Sequence, residues 1–124
     1  MTVRLIKYQA LGNDYLVLDL PGPLEALVRL LPLLCHPHFG LGSDGLLAFD
    51  PAAMSVRIFN PDGSEAQKSG NGLRIIAAHA VLEHSAPPMF EIRTRDRANQ
   101  VRILAADGVQ VTCELDIGRP SFRA

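Results

Sequence analysis

The sequence predicts an α+β fold in which a curled, mostly antiparallel β-sheet, barrel-like, wraps one central buried helix. Three observations carry that expectation. Between Leu73 and Glu83 the residues Leu73, Ile75, Ile76, Ala77, Ala78, Ala80, Val81 and Leu82 leave hardly any polar face, and a helix apolar around most of its circumference is buried on most sides. Short β-like runs flank that helix on both sides in the chain. Two of them, Val101 to Ala105 and Val109 to Ile117, are joined by Asp107-Gly108, a strong two-residue hairpin signal.

The elements follow in order. Val3 to Tyr8 and Tyr15 to Leu20 are β-like and separated by the turn Leu11-Gly12-Asn13-Asp14. Pro21-Gly22-Pro23 breaks the chain, and Leu24 to Leu34 reads as a short helix, apolar on most sides and closed by Pro32 and the His36-Pro37 pair. A glycine-rich turn, Gly40 to Gly45, leads into a strand from Leu46 to Phe49. Met54 to Asn60 is β-like, with Val56 to Phe59 as its core, and Asp62-Gly63 reverses the chain before the central helix. Met89 to Thr94 adds a further strand. No internal repeat or low-complexity segment is present. Residues 1 to 117 read as one lobe, and Gly118 to Ala124 has the composition of a linker.

With 124 residues the chain is one domain at most, large enough for a single core. Nearly half of it is apolar, and its charges almost cancel at a formal −1. No basic surplus or Lys/Arg run advertises nucleic acid. The most apolar stretch, Leu24 to Leu34, is interrupted by Glu25, Arg29 and Pro32 and is too short to cross a bilayer. The first residues read as a strand and not as a signal peptide. Cys35 and Cys113 show no metal-ligand spacing and read as two buried free thiols. A soluble, cytoplasmic chain is expected, with no nucleic-acid or membrane partner.

The segment most informative about chemistry is Ser69-Gly70-Asn71-Gly72, at the start of the central helix. Unsatisfied N–H groups and the positive end of the helix dipole converge there, so a carboxylate or a developing anion is held. Glycines at 70 and 72 keep side chains off that backbone. The plainer reading of Ser69 is an ordinary helix cap. Asn13, Asp14 and Asn60, each taken alone, read as turn residues. Gly40-x-Gly42-x-x-Gly45 matches a dinucleotide fingerprint by letters, and Glu65 follows at the customary interval. The fingerprint needs a strand before it and a helix after it, whereas here a helix precedes and a strand follows, so a tight turn is expected. The four histidines show no zinc spacing and no accompanying acidic cluster, and no metal site is expected. His79 reads as a hydrogen-bonded core residue. No Gly-x-Ser-x-Gly elbow supports a hydrolase.

Taken together, the turns resemble a known family. Leu11-Gly12-Asn13-Asp14-Tyr15, Phe39 to Leu47 with its Gly40-Leu41-Gly42-Ser43-Asp44-Gly45 core, Arg57-Ile58-Phe59-Asn60-Pro61-Asp62-Gly63-Ser64-Glu65 and Ser69-Gly70-Asn71-Gly72-Leu73-Arg74 are similar, in order and spacing, to the amino-terminal half of diaminopimelate epimerases. The resemblance implies a pyridoxal-independent amino-acid epimerase of two similar lobes, each a curled sheet around a helix, with the active site in the cleft between them. It implies no cofactor. One cysteine from each lobe moves a proton at the substrate α-carbon, as thiolate base and as thiol acid, interconverting LL- and meso-diaminopimelate for lysine and peptidoglycan precursors.

Carried over residue by residue, the resemblance puts Ser69 at the position of the first catalytic cysteine. Asn13 and Asn60 match positions that hold the distal end of the substrate, and Gly70, Asn71 and Gly72 match the turn that receives the α-carboxylate. Two departures matter. A serine hydroxyl is a far poorer base than a thiolate and needs a neighbouring base to activate it. The second cysteine belongs to a second lobe, supplied by a carboxy-terminal half or a separate chain, so this chain alone is expected to be nearly inactive. A homodimer is compatible with this reading. A non-catalytic amino-acid-binding lobe is one alternative. A relative of proline racemase or of the phenazine-biosynthesis isomerases is another, and the Gly-Asn-Gly after Ser69 points away from it.

Overall fold

A computed structural model describes residues 3–10, 12–67, 69–107 and 110–116, without the side chains of 10, 105–107 and 110–116. The strands are β1 (Ile6–Ala10), β2 (Asn13–Asp19), β3 (Leu46–Asp50), β4 (Ser55–Phe59), β5 (Glu65–Ala66), β6 (Met89–Arg93), β7 (Ala98–Asp107) and β8 (Gln110–Asp116). The helices are α1 (Leu24–Leu34) and α2 (Gly70–His84). One sheet runs in the order β1-β2-β3-β4-β6-β7-β8, with β5 paired beside β4. The β2–β3 and β4–β6 pairs are parallel and the rest are antiparallel. Helix α2 touches β1 near one end of this order and β8 at the other, so the sheet curls around it, as the apolar character of that helix requires.

Alternation along the central strands divides the interior into two cores, because successive strand residues face opposite sides of a sheet. Tyr15, Val17, Leu47, Phe49, Val56 and Ile58 face α2 and pack on Leu73, Ile75, Ile76, Ala77 and Ala80. Leu16, Leu18, Leu46, Ala48 and Phe59 face α1 and pack on Leu27 and Leu31. A second, smaller core thus backs the sheet, which a reading centred on one enclosed helix did not foresee.

Several boundaries differ from the sequence reading. Helix α2 begins at Gly70, three residues before the apolar run, since capping and not hydrophobic periodicity sets its first turn. Pro32 does not close α1: it lies inside the helix, which continues to Leu34 and bonds Cys35 N to Leu31 O at 2.8 Å. A proline late in a helix removes one rung of the ladder, and the packing of Leu31 beneath the sheet offsets that loss. Only one stripe of α1 is covered, because Leu30 and Leu33 stay exposed. The two-residue β5 was missed, being too short to show a period. The hairpin between β7 and β8 is present through the Asp107↔Gln110 pair, while Gly108 itself, like residues 117–124 with their expected linker, lies outside the described residues. No described helix is long and apolar enough to cross a membrane.

The turn from Gly40 to Gly45 leads into β3, as expected for a tight turn and not a cofactor loop. Gly45 has φ +158°, and a Cβ there would run into the carbonyl oxygen of Phe59 and approach Tyr15 Cε1 at 3.1 Å. The oxygen is backbone on the neighbouring strand and yields only if β3 and β4 separate. Gly45→Ala is therefore expected to lower stability by about 1–3 kcal/mol, read as a reduced urea midpoint with an unchanged m-value.

Candidate functional site at the amino end of the buried helix

The sheet gathers the sequence-selected residues at one of its ends. Parallel pairing places Leu16 beside Leu46, and antiparallel pairing places Leu46 beside Phe59. The start of β2, the start of β3 and the end of β4 therefore lie together, which brings Asn13, Gly45 and Asn60 to the same margin. The start of α2 joins them through a hydrogen bond of 3.1 Å between Tyr15 Oη and Ser69 Oγ. Asn13 lies two residues before Tyr15 on β2 and so shares its face of the sheet.

Ser69 is the N-cap of α2, extended at φ −151° and ψ 122°. Its Oγ accepts from Gly72 N at 3.0 Å, and its carbonyl accepts from Leu73 N at 3.0 Å. Two of the orphan donors of the first turn are thus satisfied within the protein. Gly70 N and Asn71 N have no hydrogen-bond partner among the described residues. The two glycines also differ in their surroundings. A Cβ on Gly70 would meet nothing within 4 Å, whereas one on Gly72 would press on Leu47 Cδ2 and on Ser69 at 3.2 Å. The expectation that Gly70, Asn71 and Gly72 present three bare amides is corrected accordingly. Gly72 faces the core with its amide capped, which leaves the amides of Gly70 and Asn71 without a partner among the described residues.

Asn60 serves its own turn. Its Nδ2 donates to Ser64 Oγ at 3.0 Å, its N–H donates to Ser64 O at 2.8 Å, and its carbonyl accepts from Gly63 N at 2.9 Å. Asn60 is exposed at this margin. The Asn13 side chain has no hydrogen-bond partner among the described residues. Beside it the loop from Gly40 to Gly45 is stitched to β2. Asp14 N donates to Asp44 Oδ2 at 2.8 Å and Asp44 N to Asp14 O at 2.7 Å, while Lys7 Nζ reaches Leu41 O at 3.0 Å. Asp14 Oδ1 is buried with no partner among the described residues. Glu65 gives both carboxylate oxygens to Arg57, at 2.8 and 3.2 Å, and that hydrogen bonding holds its carboxyl below the ordinary value. It is an ion-pair anchor for β5, which disposes of its match to a ribose-binding acid.

No thiol accompanies Ser69 from the described side chains. Cys35, buried and free, packs in the α1 core on the opposite side of the sheet. Burial pushes its thiol up, a hydrogen bond from Ser43 opposes this, and the Asp44 charge adds to it. The side chain of Cys113, on β8, lies outside the described residues.

Two features escaped the sequence reading. Tyr15 was read as the last letter of a turn motif and the start of a strand, yet its hydroxyl also meets Ser69 Oγ. At the far end of α2, His79 is fully buried, as expected of a core histidine, with Nδ1 2.8 Å from Tyr8 Oη and Nε2 2.7 Å from Asp19 Oδ1. His84 Nε2 approaches the same oxygen at 3.1 Å. The expectation that no acid accompanies the histidines is thereby overturned. Asp19 lies sixty residues before His79, a separation no local spacing rule detects.

Over residues 5–121 the chain matches the family model described as diaminopimelate epimerase. It belongs to the diaminopimelate epimerase family. A diaminopimelate epimerase from Geobacillus kaustophilus is 38% identical over 122 residues, covering 92% of this chain and 42% of that protein. One from a Cyanothece species is 39% identical over 138 residues, covering 100% and 46%. Diaminopimelate epimerase 2 from a Nostoc species is 51% identical over 84 residues, covering 62% and 29%. The chain thus spans less than half the length of these relatives. A Bacillus anthracis phenazine biosynthesis protein of the PhzF family has a similar structure, with a TM-score of 0.67 at 16% identity, over 91% of this chain and 40% of that one. That likeness concerns the fold alone and does not favour the phenazine-type chemistry.

The cap geometry generates a paired prediction. Ser69→Ala removes the acceptor for Gly72 N and the partner of Tyr15 Oη, and is expected to destabilise by about 1–2 kcal/mol. Gly70→Ala fills open space in the first helical turn and is expected to be neutral or to stabilise by up to about 1 kcal/mol. Urea unfolding monitored by circular dichroism checks both.

Proposed function

We propose that this chain is the amino-terminal lobe of an amino-acid epimerase of the cofactor-independent, two-base type, acting on diaminopimelate. It would bind the substrate α-carboxylate at the start of α2 and place residue 69 against one face of the α-carbon. The observation that carries this reading is that the amides of Gly70 and Asn71, at the positive end of a fifteen-residue helix, have no partner among the described residues. Asn13 and Asn60, on the same margin, are proposed to hold the distal end of the substrate, each through a side-chain oxygen or amide. Gly72 contributes by lacking a side chain, and its amide becomes available only if Ser69 Oγ turns away.

Proton transfer is where the present residue falls short. A base that removes an α-proton works best when its pKa lies near the operating pH. Ser69 Oγ has Tyr15 Oη and Gly72 N as its hydrogen-bond neighbours, and neither is a general base at neutral pH. Gly72 N donates to Oγ, which ties up a lone pair that a base would use. A thiol at this helix start would be drawn toward its thiolate by the dipole; a hydroxyl stays protonated. The lobe as it stands is therefore a binding element with almost no turnover. The second base, and the wall that closes the cleft over the substrate, would come from a second lobe, either a carboxy-terminal half or a separate chain. Residues 118–124 would lead toward it, and we place the assembled protein in the cytoplasm.

The capped state of Ser69 equally supports a second reading, a lobe that binds an amino acid and performs no chemistry in any form. Deuterium incorporation at the α-carbon of diaminopimelate, in deuterium oxide, separates the two. With a second lobe supplied, Ser69→Cys is expected to exchange roughly a hundredfold faster than the unsubstituted chain, the low end of what general acid–base catalysis contributes. Equal and substantial exchange by the unsubstituted chain would overturn the inert-serine argument. Calorimetric binding without exchange by either protein would establish the purely binding lobe.

A further inference from the structure

We propose a divalent metal site, independent of the epimerase reading, formed by Asp19, His79 and His84 where the end of β2 meets the last turns of α2. Each residue offers one ligand atom, and the three atoms lie within 4.8 Å of one another. The two Nε2 atoms converge on a single carboxylate oxygen, at 2.7 Å for His79 and 3.1 Å for His84. On a tetrahedral zinc ion, with bonds of about 2.0–2.1 Å, ligand atoms sit about 3.3 Å apart. The observed cluster needs to open by less than an ångström along these two edges to admit the ion.

The donor set suits a borderline-soft cation. Two imidazoles and one carboxylate are ligands that zinc takes in sites with one position left to solvent. Asp19 is available as an anion. Burial works against its charge, but hydrogen bonds from His79 and His84 together with their coulombic influence outweigh it, so its carboxyl lies below the ordinary value. Access is one-sided. The His79 side chain has no exposure, while Asp19 and His84 keep 38% and 27% of theirs, so an ion would arrive through those two.

The surroundings of His79 supply the outer support that metal-binding imidazoles use. A ligating histidine holds its other ring nitrogen in a hydrogen bond that fixes tautomer and ring orientation. His79 Nδ1 meets Tyr8 Oη at 2.8 Å, and a hydroxyl serves either tautomer, since it donates or accepts. With Nε2–H donating to Asp19, Nδ1 accepts from Tyr8. With Nε2 bound to an ion, the proton sits on Nδ1, which donates a hydrogen bond to Tyr8 Oη. The ring is further wedged edge-on against Tyr8, Phe49 and His84, with centroids 5.3 to 5.8 Å away. Such an ion would tie β2 to α2 at the end opposite Ser69, a structural role distinct from the proposed chemistry.

Titrating zinc into the chelator-treated chain, against a chromophoric zinc indicator, tests the site. The expected result is one ion per chain, lost in His84→Ala and retained in His38→Ala, which removes a histidine of the unrelated pair His36 and His38 on the loop after α1. Because His84 is partly exposed, that variant is expected to fold, and its circular dichroism verifies this. Cobalt(II) substitution should give the intense visible bands of a tetrahedral site in the unsubstituted chain and in His38→Ala, and not in His84→Ala. Failure of the unsubstituted chain to take up zinc overturns the proposal, and so does uptake undiminished in His84→Ala. Neither result bears on α-proton exchange, so the epimerase reading stands or falls separately.

Discussion

The burial of α2 within the curl of the sheet is the constraint from which the other features follow. Leu73, Ile75, Ile76, Ala77 and Ala80 are all but inaccessible, matched by Val17, Leu47, Phe49, Val56, Ile58, Ile92 and Val101 from the strands around them. Close-packed interiors tolerate little displacement. Once these side chains interlock, the helix has one rotation and one axial position. Its amino end is then placed at Tyr15 and its carboxy end at Asp19, the two ends of the same strand.

That arrangement explains why one strand carries contacts of two different kinds. Tyr15 Oη bonds the cap of α2, and Asp19 Oδ1 bonds His79 and His84 in its final two turns. The positive end of the dipole faces the margin where Asn13, Gly45 and Asn60 gather. The negative end has the imidazoles and the aspartate. A helix anchored at both termini by polar contacts, and along its length by apolar ones, fixes the direction in which the amides of its first turn point. The capping of Gly72 N by Ser69 fits this economy. A serine at the helix start stabilises that turn while forgoing the reactivity that a thiol would bring to the same place.

The second core sharpens the same point. Packing of α1 on Leu16, Leu18, Leu46, Ala48 and Phe59 clamps the parallel β2–β3 pair from behind. Cys35 belongs to that clamp, and burial pushes its thiol up. The one described thiol lies on the side of the sheet remote from the margin where Asn13 and Asn60 gather.

Much of the fold and of the site was present in the order of residues. The apolar circumference of α2 predicts its enclosure, because a helix without a polar face has nowhere in water to sit. The alternating character of β4 predicts a strand, the helix start predicts an anion-attracting turn at Ser69 to Gly72, and the family resemblance of the turns singles out Asn13 and Asn60, which alone read as turn residues. These are short-range signals, carried by neighbours in the chain. What the folded state alone decided involves partners distant in sequence. Whether a given amide of the first turn stays open depends on which way Ser69 Oγ points and on Leu47 beneath Gly72. The second core depends on α1 crossing behind the sheet. The meeting of Asp19 with His79 and His84 depends on the axial setting of α2. No pattern in the chain encodes such encounters, since they arise from packing that sums many weak contacts into one arrangement.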